Sequence, residues 1–194
     1  VEQCWFAFSS GTQTPNEYRF VEDGGIELGV RCMREHGPER RIREETMQAM
    51  RAVGRAGADN RQHLAEAGFL EELVKTMQEV PLDVHSQSPA CANIAIMTKD
   101  SPERTARAVK AGATELALKA VRTFPDMISS VNWAFDDQYT VYEDCLEAVA
   151  QLAHDEDGKA ILASIGSARD DIETALHNKP SSPQVQVYSH QILA

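Results

Sequence analysis

Residues 69–79 show the dominant pattern of the chain. Leu70, Leu73, Val74 and Met77 fall on one side of a helix, and Glu71, Glu72, Lys75 and Gln78 on the other. The pattern recurs. The segment Phe-Val-Glu-Asp-Gly-Gly-Ile-Glu (20–27) aligns with Leu-Ala-Glu-Ala-Gly-Phe-Leu-Glu (64–71) and Ala-Val-Lys-Ala-Gly-Ala-Thr-Glu (108–115). Gly24, Gly68 and Gly112 are each 44 residues apart, and a fourth copy (162–167) puts Gly166 another 54 on. An apolar landmark, Met33, Met77, Val121 or Ala175, follows each glycine by nine residues. A proline then closes the segment: Pro38, Pro81, Pro125 and Pro180.

Each unit predicts three helices. A short first helix starts near Asn16, Asp59, Ser101 or Glu156, where polar side chains can cap free N–H groups. It turns sharply at the glycine. The amphipathic second helix stops at the proline. A longer third helix covers roughly 41–55, 84–98, 141–153 and 183–194. No useful alternation of period two occurs, so no strand is expected. One such unit cannot bury its apolar face alone, and stacking supplies a continuous core.

With these residues in view, the unit resembles an armadillo repeat. The resemblance rests on Asn-Arg-Gln-His-Leu-Ala-Glu-Ala-Gly (60–68) and Leu-Val-Lys-Thr-Met-Gln (73–78). Ala-Met-Arg-Ala-Val-Gly (49–54) and Ala-Val-Ala-Gln-Leu-Ala (148–153) match its third helices. HEAT repeats are the nearest alternative, but the short first helix and the glycine turn favour armadillo. The expected fold is all-α: a right-handed α-solenoid of about four three-helix repeats, with partial repeats at both ends. It divides into a partial repeat (1–14) and repeats at 15–57, 58–100, 101–154 (with an insertion at 125–141) and 155–194. Trp5, Phe6 and Phe8 at one end, and Tyr188, Ile192 and Leu193 at the other, look uncapped. They suggest part of a longer protein, or ends covered by neighbours.

Composition narrows the function. The net charge of −11 argues against non-specific nucleic-acid binding, which needs a basic surface. No apolar run is long enough to cross a bilayer, so no membrane insertion is expected. Cys4, Cys32, Cys91 and Cys145 lack the spacing of a zinc or redox motif and read as reduced, buried thiols. The compartment expected by default is the cytoplasm, with an organelle or a cilium open. The six histidines form no ligand pair on a helix face. Asp155-Glu156-Asp157-Gly158-Lys159 reads as a turn that caps the next helix. No catalytic constellation is found, and no metal or cofactor is expected.

Two features point to binding. Residues 31–61 carry eight arginines and five acids, while 123–158 carry nine acids and no Lys or Arg. The acids of the second stretch include Asp136, Asp137, Asp144 and Glu147. The ten extra residues of the third unit bring Trp133, Phe135 and Tyr139, and insertions of this kind map to loops on one face. The resemblance implies that third helices line a groove, here with Gln48, Arg51, Arg55, Asn93, Met97, Glu147 and Gln151. The sequence departs from the repeated Trp and Asn of armadillo proteins that hold basic peptides: Ala52 and Gln151 stand at two of the Asn places, Asn93 alone could fit the third, and Trp5 is the sole candidate Trp in a third helix. The expected role is a non-catalytic protein–protein interaction module, a scaffold, adaptor or accessory subunit of a larger assembly. The alternatives are a cargo receptor for an extended basic peptide, or a regulator of a chaperone or enzyme.

Overall fold

A computed structural model describes residues 20–124, 128–132 and 137–194. The partial repeat at 1–14 and the opening of the first unit lie outside the described residues. The described chain is helical apart from one hairpin. Unit one supplies α1 (Gly25–His36) and α2 (Arg40–Ala56). Unit two has α3 (Ala58–Glu66), α4 (Phe69–Glu79) and α5 (Val84–Thr98). Unit three has α6 (Pro102–Lys110), α7 (Ala113–Thr123) and, after the insertion, α8 (Val141–Leu152). Unit four has α9 (Glu156–Ser164), α10 (Ala168–Asn178) and α11 (Pro183–Leu193).

Gly24, Gly68 and Gly112 sit just before α1, α4 and α7 with φ of 79°, 88° and 91°. Only glycine takes that conformation without a Cβ penalty, and it turns one helix into the next. Gly166 departs from this pattern: its φ is not positive, and α10 begins two residues later rather than one. The extra residue in that turn relieves the need for a left-handed step.

Side-chain caps start five helices: Asp83 for α5, Ser101 for α6, Thr140 for α8, Asp155 for α9 and Ser182 for α11. Thr140 and Glu143 form a reciprocal capping box. Asp59 does not cap α3. It lies within the first turn, after Gly57, where its charge suits the helix dipole.

Like helices pack on like. The third helices α2, α5, α8 and α11 touch in sequence, and so do the second helices α1, α4, α7 and α10. Equivalent residues make equivalent bonds. Asn60 Nδ2 donates to the Val53 carbonyl at 3.1 Å and Arg104 Nε to the Met97 carbonyl at 2.5 Å, each position 44 residues on. Arg61 and Thr105 do the same for the carbonyls of Gly54 and Thr98, at 3.2 and 3.3 Å. The first helices α3 and α6 thus satisfy carbonyls that the preceding third helix leaves free at its end. Glu27–His63 and Glu71–Arg107 likewise repeat across successive units, at 2.7 and 2.5 Å.

The core is continuous from Ile26 and Met33 through Phe69, Leu73 and Met77 to Leu118, Tyr142, Leu146 and Ile172. The α8–α9 join is tight, because a Cβ on Gly158 would lie 2.1 Å from the Leu152 carbonyl oxygen.

Two expectations are corrected. The insertion contains strands: β1 (Ile128–Asn132) and β2 (Asp137–Thr140) pair antiparallel, Val131 opposite Gln138, with an irregularity between Ile128 and Ser130. Segments of four and five residues are too short to show a period in sequence, and a lone hairpin needs outside support. Here β1 packs on α5 and β2 on α8. The described cysteines, Cys32, Cys91 and Cys145, are not free thiols, and Cys4 lies outside the described residues. Cys91 and Cys145 form a disulfide between α5 and α8, with Cα atoms 4.9 Å apart. Cys32 is disulfide-bonded as well. Among the described residues, no cysteine is free. Sequence spacing gave no hint, because helices 54 residues apart meet only through stacking.

Candidate protein interface

The third helices α2, α5, α8 and α11 lie side by side, so their outward positions form one surface. On α2, Gln48 and Arg55 are exposed and Arg51 is half-buried. On α8, Glu147 and Gln151 are half-buried, and His154 beyond its end is exposed. On α11, Tyr188 is half-buried.

Asp144 sits where three of these helices meet. Its side chain is 3% exposed. Its Oδ2 accepts a hydrogen bond from Ser88 Oγ of α5. Its Oδ1 lies 3.6 Å from Arg51 Nη2, which reaches across from α2. Burial pushes the Asp144 carboxyl up to about 6. The Arg51 charge and the Ser88 hydroxyl oppose that rise, and Glu147 and Glu143 add to it. Tyr188 is pushed up to about 12, first by burial, then by the charge of Glu147 and a hydrogen bond to it. Glu143 is engaged elsewhere: it accepts from Ser182 Oγ at 2.7 Å and closes the cap of α8.

The structure brings together Arg51, Asp144 and, through Tyr188, Glu147. It removes two expected surface residues. Asn93 and Met97 are each 1% exposed. Asn93 Nδ2 donates to the carbonyls of Met47, at 3.0 Å, and Pro89, at 2.9 Å. It ties α5 to α2. Met97 packs in the core. Trp133, Phe135 and Asp136 lie outside the described residues. Asp137 pairs with Asn132 in the hairpin ladder.

The basic end is also partly internal. Arg43 is buried, donating to Ser86 Oγ at 3.1 Å, to Asp83 Oδ2 at 3.0 Å and to the Gly37 carbonyl. Although burial opposes it, Ser86 and Arg43 hold the Asp83 carboxyl below its usual range. Arg41 and Arg55 remain on the surface. Sequence reasoning did not single out Ser88, Arg43 or Tyr188 as partners. Their types are ordinary, and only the stacking of helices reveals whom they meet.

A cavity of about 390 Å³ opens beside the face, lined by Thr98, Lys99, Asp100, Gln151, His154 and Asp155 among others. It joins the ends of α5 and α8. Among the described residues, no group of three His, Cys, Asp or Glu side chains could hold a metal ion. Among the same residues, no helix is long and apolar enough to cross a membrane.

No protein-family model and no curated protein matches the chain. Two crystal structures do match, each of an engineered protein of the Northeast Structural Genomics Consortium. One superposes with a TM-score of 0.67 at 19% identity, covering 92% of this chain and 64% of its own. The other has a TM-score of 0.66 at 18% identity, covering 94% of this chain and 40% of its own. The chain thus spans less than two thirds of either relative. At these identities the likeness is one of fold alone.

Proposed function

We propose that the chain is a non-catalytic protein–protein interaction module, built as a right-handed armadillo-like α-solenoid and used as a scaffold, adaptor or accessory subunit. One observation carries the reading. Like helices stack on like through the described units, and the third-helix surface they share keeps polar and charged side chains outward at Gln48, Arg55, Glu147 and Gln151. The 44-residue period of the ion pairs and carbonyl bonds supports the same repeat architecture. Such a surface presents spaced, rigidly held contacts to a protein partner.

The paired cysteines favour an oxidising compartment over the cytoplasm expected by default, because structural disulfides are rare where thiols are kept reduced. An extended basic peptide is the less supported occupant. Asp144 already faces Arg51, and Glu147 is the half-buried carboxylate left for such a peptide.

The test is affinity capture of the tagged chain from its native extract, with cross-linking and mass spectrometry. The expected result is a stoichiometric partner cross-linked along α2, α8 and α11. Charge reversal at Arg55 and Glu147 should release that partner. A chain that stays alone and monodisperse, or partners joined only through the second helices, would overturn the proposal.

A further inference from the structure

The pair Arg51–Asp144 crosses a helix. α2 and α8 belong to units one and three, and both pack on α5 between them. Arg51 of α2 reaches past α5, and its Nη2 lies 3.6 Å from Asp144 Oδ1 on α8. The two ends of this link differ. Asp144 is 3% exposed and is bonded by Ser88 of α5, so it is fixed in place. Arg51 keeps 16% of its side chain exposed, one turn before the exposed Arg55. A long arginine at the rim of the packing can turn its head into water while its stem stays covered. The helices have other ties. The Cys91–Cys145 disulfide joins α5 to α8, and Asn93 joins α5 to α2. Loss of the Arg51–Asp144 pair therefore leaves the stack joined.

We propose that Arg51 and Asp144 form a proton-controlled latch: ionised Asp144 holds the Arg51 guanidinium inward, and when Asp144 takes a proton from solvent, Arg51 turns out onto the third-helix face. A neutral carboxyl needs no counter-ion in the interior, but a guanidinium held inward without one is costly. Burial sets the latch to open in mild acid, since it pushes the Asp144 carboxyl up to about 6. The charges acting on Asp144 are Arg51 from α2 and Glu147 and Glu143 on α8 itself, and Ser88 is its partner from α5. Tyr188 of α11 feels the Asp144 charge, and the half-buried His85 lies one turn before Ser88. On the other elements packed against α8, Arg104 of α6 bonds to Gln62, Arg122 of α7 to Asp171, and Asp137 of β2 pairs with Asn132. As pH falls, the third-helix face thus gains a second cation beside Arg55. The latch stands on the packing of α2, α5 and α8 and does not need the interaction-module reading, which partner capture tests separately.

Nuclear magnetic resonance of the intact chain, with arginine Nε and aspartate Cγ labelled, tests the latch. Between about pH 7.5 and about pH 4.5, the Arg51 Nε group should pass from the order of buried Arg43 to the mobility of exposed Arg55. Its midpoint should coincide with that of Asp144 Cγ. Arg51 that stays as ordered as Arg43 after Asp144 is protonated would overturn the proposal. An Asp144 Cγ signal that does not titrate above about pH 4.5 would overturn it equally. In the Asp144→Asn variant Arg51 should be mobile at every pH, and an ordered Arg51 there would also refute the latch. If that variant does not fold, the wild-type titration decides alone, because a merely structural pair would not tie the mobility of Arg51 to the protonation of Asp144.

Discussion

Replacing Asp144 by Asn should make the protein's stability less dependent on pH, because Asp144 contributes in a direction opposite to most ion-paired carboxylates. An acid held by a cation usually has a lowered pKa and stabilises the fold above it. Asp144 is raised to about 6, because burial outweighs Arg51 and Ser88. Its unfolded value is near ~3.9. The folded state therefore binds the proton more tightly, and this group's contribution to stability falls as pH rises from about 4 to about 6. Between about pH 4.5 and about pH 7.5, linkage gives a loss of about 2 kcal/mol in the wild type. Asn keeps a polar head beside Ser88 but cannot ionise. It weakens the hold on Arg51, a cost that should be nearly constant across this range because Arg stays charged. The difference in unfolding free energy, Asn variant minus wild type, should thus rise by about 2 kcal/mol over that interval. Urea titrations followed by circular dichroism at four pH values would measure it. A flat difference, or one that falls as pH rises, would mean that the Arg51 ion pair dominates and that the burial argument fails.

Replacing both Cys91 and Cys145 by Ala should cost about 4 kcal/mol, the loop-entropy value for a separation of 54 residues. The wild-type chain, denatured without reductant, should leave Cys32, Cys91 and Cys145 unlabelled by iodoacetamide; labelling of any of them would contradict the pairing. Gly112→Ala should cost roughly 1 kcal/mol through its left-handed backbone, while Gly166→Ala should be near neutral. Equal thermal shifts for the two would refute the difference drawn between their turns. Asn93→Ala should destabilise by roughly 2 kcal/mol, since it strips bonds from the buried carbonyls of Met47 and Pro89. Once folded, that variant should keep full affinity for any captured partner, and selective loss of binding would return Asn93 to the surface.

The helices were legible at close range. The third helices expected at 84–98 and 141–153 appear as Val84–Thr98 and Val141–Leu152, because capping residues and apolar period act over a few residues. The site was legible only as composition. Charge runs pointed to Arg51, Asp144 and Glu147, but not to the first two facing each other under cover. Asn93 was misplaced for the same reason: polar residues are expected outside, and only the neighbouring helix shows that its amide serves a carbonyl of α2. Two short strands escaped notice because α5 and α8, rather than any internal period, support them.

By itself, the sequence determined the helical units, their 44-residue period and the turns that need glycine, since propensity, capping and amphipathicity are properties of neighbours along the chain. Tertiary structure decided which cysteines pair and which charges are buried. Those outcomes depend on contacts between residues dozens of positions apart, where burial and distance set the energy rather than residue type.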